Sequence, residues 1–218
     1  MNTTRELSAR MMLCAALALP WIALPAFAQD PAVSIFIVRH AESDNTQPTV
    51  PLSKKGLERA TLLAPTVRGL KFTHLFASHT TRARQMLEGI SASSSLPIVQ
   101  LPAPGSTLDG KLVNDQISRR APIEPIADAL LKLPPGSVAL VALNSENIYA
   151  ILNKLGVPVA KAGQGCAQGS ACVPCTDSSC YPRDEFNHLW HIVRLQGKAE
   201  PVAFAELRYG EGWRPAEK

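Results

Sequence analysis

The segment Val33-Ser34-Ile35-Phe36-Ile37-Val38 reads as a buried β-strand, and it stops abruptly at Arg39-His40-Ala41-Glu42. In open α/β sheets, ligands gather outside the carboxyl ends of the strands, where a side chain can face a substrate while its backbone stays anchored in the ladder. A cation and an imidazole delivered together at such an end are suited to handling phosphate. His40 is therefore the first candidate catalytic residue, with Arg39 beside it.

Strand and helix patterns alternate through the rest of the chain. Turn signals at Pro48 and Pro51 lead to Ser53, which can cap a helix running to about Val67, with Leu57, Ala60, Leu62 and Leu63 on its apolar side. Thr73 to Ser78 reads as a short strand, and Thr80 to about Ile90 as a helix with Ala83, Met86, Leu87 and Ile90 at inward-facing spacing. Two strand-to-helix units in succession predict a parallel sheet. Ser91 to Arg120 is rich in Pro, Gly and Ser and weakly periodic, with Ile98 to Leu101 a candidate edge strand. A helix from Pro122 or Ile123 to Leu133 is stopped by Pro134-Pro135-Gly136, and the apolar strand Ser137 to Leu143 follows. The helix Glu146 to Leu155 closes at Gly156, a natural left-handed cap, and Asn187 to Leu195 and Val202 to Arg208 read as the last strands.

At the N-terminus, Arg5 and Arg10 precede the apolar run Met11 to Leu24, then Pro25 and the small-residue pattern Ala26-Phe27-Ala28. This predicts a secretory signal peptide over residues 1–28, cleaved between Ala28 and Gln29, and hence a periplasmic or secreted protein. Met11 to Ala28 is just long enough to span a bilayer as an uncleaved anchor, but Pro20, Pro25 and the Ala-x-Ala site favour cleavage, with no stable membrane insertion afterwards. Loss of Arg5, Glu6 and Arg10 takes the formal charge from +4 to +3, without a long Lys/Arg run, so nucleic acid is not an expected partner. Residues 29–218 suit one domain. Cys166, Cys172, Cys175 and Cys180 fall in one stretch of it. In an oxidising compartment they are expected to form two disulfides of undetermined pairing, and the spacing Cys172-x-x-Cys175 keeps a zinc knuckle as the alternative.

A second chemical cluster is Ser78-His79-Thr80-Thr81-Arg82-Ala83-Arg84-Gln85, again a strand end entering a helix. Arg82, in the first turn, can point its guanidinium toward the same edge as His40, and with the N–H groups of the helix start it makes a receptor for a phosphate dianion. Arg84, two residues on, faces elsewhere and reads as a surface charge. His74, His188 and His191 read as strand-surface or packing residues, with His188 and His191 on opposite faces and so not sharing a metal. Trp190 reads as a core anchor.

Taken together, Val38-Arg39-His40-Ala41-Glu42, Pro51-Leu52-Ser53-x-x-Gly56-x-x-Arg59-Ala60, Ser78-x-x-x-Arg82-Ala83-x-Gln85 and the closing Leu207-Arg208-Tyr209-Gly210 resemble the histidine phosphatase superfamily, the phosphoglycerate mutase-like fold, and in particular its short bacterial phosphohistidine-phosphatase-like branch. The resemblance spans about Val33 to Gly210, with the cysteine loop, about 162–184, as an insertion. It implies a three-layer α/β/α sandwich around a mostly parallel sheet. It further implies metal- and cofactor-independent hydrolysis of a phosphomonoester, either a small phosphorylated substrate or a phosphorylated envelope component. His40 would be the nucleophile, Arg39 and Arg82 would hold the phosphoryl oxygens, and Glu42 would order the loop.

One position departs from the family pattern. The family carries a second histidine at the end of a later strand, and the matching stretch here, Ala142-Leu143-Asn144-Ser145-Glu146-Asn147-Ile148, puts Asn144 in its place. An amide donates a hydrogen bond but carries no positive charge. The general acid that larger relatives supply as a glutamate has no counterpart here. Glu124 reads as a first-turn helix charge, and His79 is the candidate proton donor in compensation. The expectation is therefore a weakened phosphatase, with a pseudophosphatase that binds a phosphorylated ligand or protein as the alternative.

Overall fold

A computed structural model describes residues 31–45, 49–103, 105–108, 111–113, 123–160, 171–172 and 185–210. The predicted signal peptide, Cys166, Cys175 and Cys180 lie outside them, and Cys172 is described only as backbone. Among the described residues the elements run β1 Val33–Arg39, α1 Lys54–Thr66, β2 His74–Ala77, α2 Thr81–Ser94, β3 Ile98–Gln100, β4 Thr107–Leu108, β5 Lys111–Leu112, α3 Glu124–Leu131, β6 Val138–Leu143, α4 Ser145–Lys154, β7 Val159–Ala160, β8 Ala171–Cys172, β9 His188–Arg194 and β10 Ala203–Arg208. Six of the strands form one sheet in the order β10-β9-β1-β6-β2-β3. The pairs β1/β6, β6/β2 and β2/β3 are parallel, while β9 pairs antiparallel with both β1 and β10.

The continuous apolar character of β1 has a direct cause: both of its faces are covered. Ile35 and Ile37 face a core shared with Ile126 and Leu130 of α3, Ile148, Ile151 and Leu152 of α4, and Trp190. Phe36 and Val38 face the opposite core, with Leu63 of α1 and Ala83, Met86, Leu87 and Ile90 of α2. The result is a three-layer α/β/α sandwich. Burying each large aliphatic side chain on either face contributes roughly 1.5–3 kcal/mol.

Three local features differ from the sequence expectation. Leu57, expected on the apolar side of α1, is 47% exposed. The inward stripe runs through Gly56, Ala60, Leu63 and Val67 instead, because i, i+4, i+7 spacing from Gly56 leaves Leu57 a quarter-turn out. The second helix continues past Ile90 to Ser94, held by Ser93 and Ser94 hydroxyls that donate back to the Ile90 carbonyl, and it ends on Ser95 in the left-handed region at φ 58°. Within the weakly periodic stretch after Ser91, β3 pairs at the sheet edge as predicted, and β4 and β5 form an antiparallel pair that the weak periodicity does not signal.

Candidate active site

Three parallel strands deliver their C-terminal ends to one edge. β6 lies between β1 and β2, and the ladders continue one residue past each neighbouring strand: His40 N–H donates to the Leu143 carbonyl and Ser78 N–H to the Ala142 carbonyl, both at 2.9 Å. His40 therefore comes level with Asn144, and Ser78 with Leu143, one residue earlier on the same edge. His40 is 6% exposed. Its Nδ1 meets the Ala41 carbonyl at 2.7 Å, and because a carbonyl only accepts, Nδ1 carries the proton. The Nε2 lone pair then accepts from Arg82 Nε–H at 2.9 Å. Two bonds thus fix the tautomer and the ring plane of the candidate nucleophile.

The loop carrying His40 is clamped by the start of α1. Ser53 caps that helix by accepting from Gly56 N–H at 3.2 Å, while its own N–H donates to the Glu42 carbonyl at 2.9 Å. Gly56 lets the helix approach the loop: a Cβ there would lie well inside contact distance of the Glu42 carbonyl oxygen. One turn on, Arg59 grips the Glu42 carboxylate with Nε and NH2 at 2.8 and 2.6 Å. Burial by itself pushes the Glu42 carboxyl up, but the Arg59 hydrogen bonds and charge, with help from Lys55, hold it below the ordinary value. Glu42 is thereby committed to the loop.

The second cluster is drawn against this loop. Arg82 in the first turn of α2 is 1% exposed and reaches His40, and Gln85 on the next turn accepts the Leu52 N–H at 2.8 Å. Asn144 is fully buried, and its Oδ1 accepts from the Thr80 hydroxyl at 3.1 Å. Thr80 in turn lies 3.2 Å from the Ser78 hydroxyl. His79, between them, is buried. Arg84 points away and pairs with Glu88 at 2.6 Å, and Glu124 is exposed at the first position of α3.

Arg39 is held from the β9 side. Its NH1 donates to the Glu185 carbonyl at 2.7 Å, and its guanidinium lies 4.1 Å from the centre of the Phe186 ring. The same segment is tied down by Tyr209, whose hydroxyl donates to the Phe186 carbonyl at 3.0 Å, and by Arg208. His188, read from sequence as an unremarkable strand residue, is buried with one ring nitrogen on Glu185 and the other on Glu206. His191 stacks on Phe36, and Trp190 is in the core, 1% exposed. Glu185 and Phe186 join the site through contacts across the fold that no local spacing encodes, and Thr80, part of the second cluster in the sequence, finds its partner Asn144 in the same way. Among the described residues no group of three His, Cys, Asp or Glu side chains is placed to hold a metal ion.

Part of the sequence that builds this site is similar to a known family. The sequence model of the histidine phosphatase superfamily, branch 1, matches residues 35–103, which contain His40, Glu42, Gly56, Arg59 and Arg82. A search of curated proteins gave no match. Among solved structures, the fold is similar to that of the protein histidine phosphatase SixA complexed with tungstate, at 16% identity, covering 80% of this chain and 96% of that one with a TM-score of 0.51. A SixA described as a phosphohistidine phosphatase from Nakamurella multipartitia is 17% identical over 80% of this chain and 95% of its own, with a TM-score of 0.46. The first of these carries the fold assignment for the whole sandwich, and the superfamily match ties the His40 loop and the Arg82 helix to the histidine phosphatase pattern.

Proposed function

We propose that the chain is an exported histidine phosphatase that hydrolyses a phosphomonoester, with a small phosphorylated substrate or a phosphorylated envelope component as its target. The observation that carries this reading is the His40 Nε2 lone pair, oriented by the Nδ1 bond to Ala41 and held at 2.9 Å from Arg82. An imidazole fixed in that tautomer is a nucleophile near neutral pH. When a phosphate dianion enters, Arg82 exchanges the ring nitrogen for a phosphoryl oxygen, and His40 attacks phosphorus in line. The N–P bond forms as the P–O bond to the leaving group breaks, and the leaving oxygen takes a proton from His79 or from water. Water then attacks the phosphohistidine, the N–P bond breaks, and phosphate departs. Guanidinium groups supply the charge that this transfer needs. Asn144 supplies a neutral hydrogen bond where the family pattern has an imidazole, and losing one electrostatic contact of this kind costs on the order of 10²–10³ in rate.

Asn144 also supports the second reading, a pseudophosphatase that retains phosphate binding without turnover. One experiment separates the two. The chain from Gln29, assayed on an aryl phosphate in EDTA, should release phosphate and accumulate an acid-labile phosphoenzyme on rapid quench, and both signals should vanish in His40→Ala. Background hydrolysis equal to that of His40→Ala, with vanadate still bound, would establish the pseudophosphatase. For export, intact mass of the periplasmic fraction should give a chain starting at Gln29. Alkylation before and after reduction distinguishes the proposed disulfides among Cys166, Cys172, Cys175 and Cys180 from free or zinc-bound thiolates.

A further inference from the structure

We infer that Thr80, backed by Ser78, is a positioning residue that fixes which end of the Asn144 amide faces the bound phosphoryl group, an inference that rests on the phosphate-binding reading above. Three side chains that the fold buries almost completely are strung in a line: Ser78 is 1% exposed, and Thr80 and Asn144 are 0% exposed. The direction of the chain follows from chemistry. The Asn144 Oδ1 can only accept, so the Thr80 hydroxyl, 3.1 Å away, donates to it and spends its single proton there. The Ser78 hydroxyl, 3.2 Å from Thr80, must then be the donor to Thr80. The polarity thus runs from Ser78 through Thr80 to Asn144. Gln100, on the edge strand, donates to the Ser78 carbonyl at 3.2 Å and holds this turn in place.

The order of the strands gives this polarity its consequence. β6 lies between β2 and β1, so Thr80 stands on one flank of Asn144 and His40 on the other. With the carbonyl end of the amide turned to the Thr80 flank, the Nδ2 donor is turned to the His40 flank, where a phosphoryl oxygen would sit. A valine at position 80 preserves shape but removes the proton, leaving the amide to choose between a donor and an acceptor facing the anion. An acceptor there repels a phosphoryl oxygen.

The test is a double-mutant cycle read by orthovanadate binding in isothermal titration, with thermal melting to verify folding. Thr80→Val should weaken vanadate binding roughly tenfold, the size of one lost hydrogen bond, whereas Thr80→Ser should stay within about twofold of the parent. Introduced into Asn144→Ala, Thr80→Val should change affinity by less than about twofold, because its effect passes through Asn144. Ser78→Ala, which leaves Thr80 intact, should weaken binding in the same direction by a few-fold and serves as the readout if Thr80→Val does not fold. Parent-like affinity in both Thr80→Val and Ser78→Ala, or losses that add in the double variant, would overturn the inference while vanadate binding abolished by Arg82→Ala keeps the phosphate-site reading. Absence of vanadate binding in the parent protein would overturn both.

Discussion

At the scale of single residues, the site holds charge and neutrality in different places. Arg82 is buried against the imidazole of His40, so the nucleophile is kept unprotonated on Nε2 by a permanent cation. Asn144, fully buried at the neighbouring strand end, contributes a dipole only. If charge at that position limits the reaction, Asn144→His should raise kcat for an aryl phosphate at least tenfold at a pH where the new imidazole is protonated. The gain should fade as pH rises above the ordinary histidine value. Steady-state kinetics across pH 5–8 checks this, and an unchanged kcat would place the deficit in the proton donor.

At the scale of elements, the first turns of α1 serve the loop that precedes them. Ser53, Gly56 and Arg59 recur at i, i+3, i+6, so one side of the helix presents a cap, a gap and a guanidinium to Glu42 in succession. The gap is the least replaceable of the three. Gly56→Ala places a methyl against the Glu42 carbonyl and should destabilise the fold by about 1–3 kcal/mol while weakening vanadate binding, because the His40 loop must shift to make room. Gly89 provides the opposite sign within α2: a Cβ there meets nothing within 4 Å, so Gly89→Ala should stabilise by about 0.5–1 kcal/mol with binding unchanged. Urea unfolding of the two variants beside the parent measures both.

At the scale of the whole molecule, one histidine on the sheet face couples folding to pH. His191, half-buried on β9, lies on the α1/α2 side with its ring stacked 4.2 Å from that of Phe36, and partial burial lowers its pKa from the ordinary 6.5. The unfolded chain takes up a proton near that ordinary value and the folded chain resists it. The stability tied to neutral His191 is therefore complete above pH 6.5 and is lost as pH falls through the folded pKa. Relative to His191→Leu, the parent should lose stability between about pH 7 and pH 5. Urea midpoints measured as a pH series should show the gap between the two proteins moving in favour of the leucine variant on acidification, and parallel curves would exclude a titrating role for His191.

Periodicity and local chemistry were enough to read the alternating elements, the fully covered β1, the Ser53 cap, the Gly156 turn and the pairing of a strand-end histidine with a helix-start arginine. Each is a property of a few adjacent residues or of one repeating interval, and such intervals survive in the linear chain. Tertiary structure alone decided the rest. Leu57 faces outward because the loop and α1 meet along Gly56, and Arg39 is gripped by Glu185 and Phe186 because β9 enters the sheet antiparallel beside β1. Asn144 is oriented by Thr80 because β6 inserts between β1 and β2, bringing together residues 64 positions apart. Strand order is a choice among ways of burying the same apolar faces, and only the packed sheet makes it.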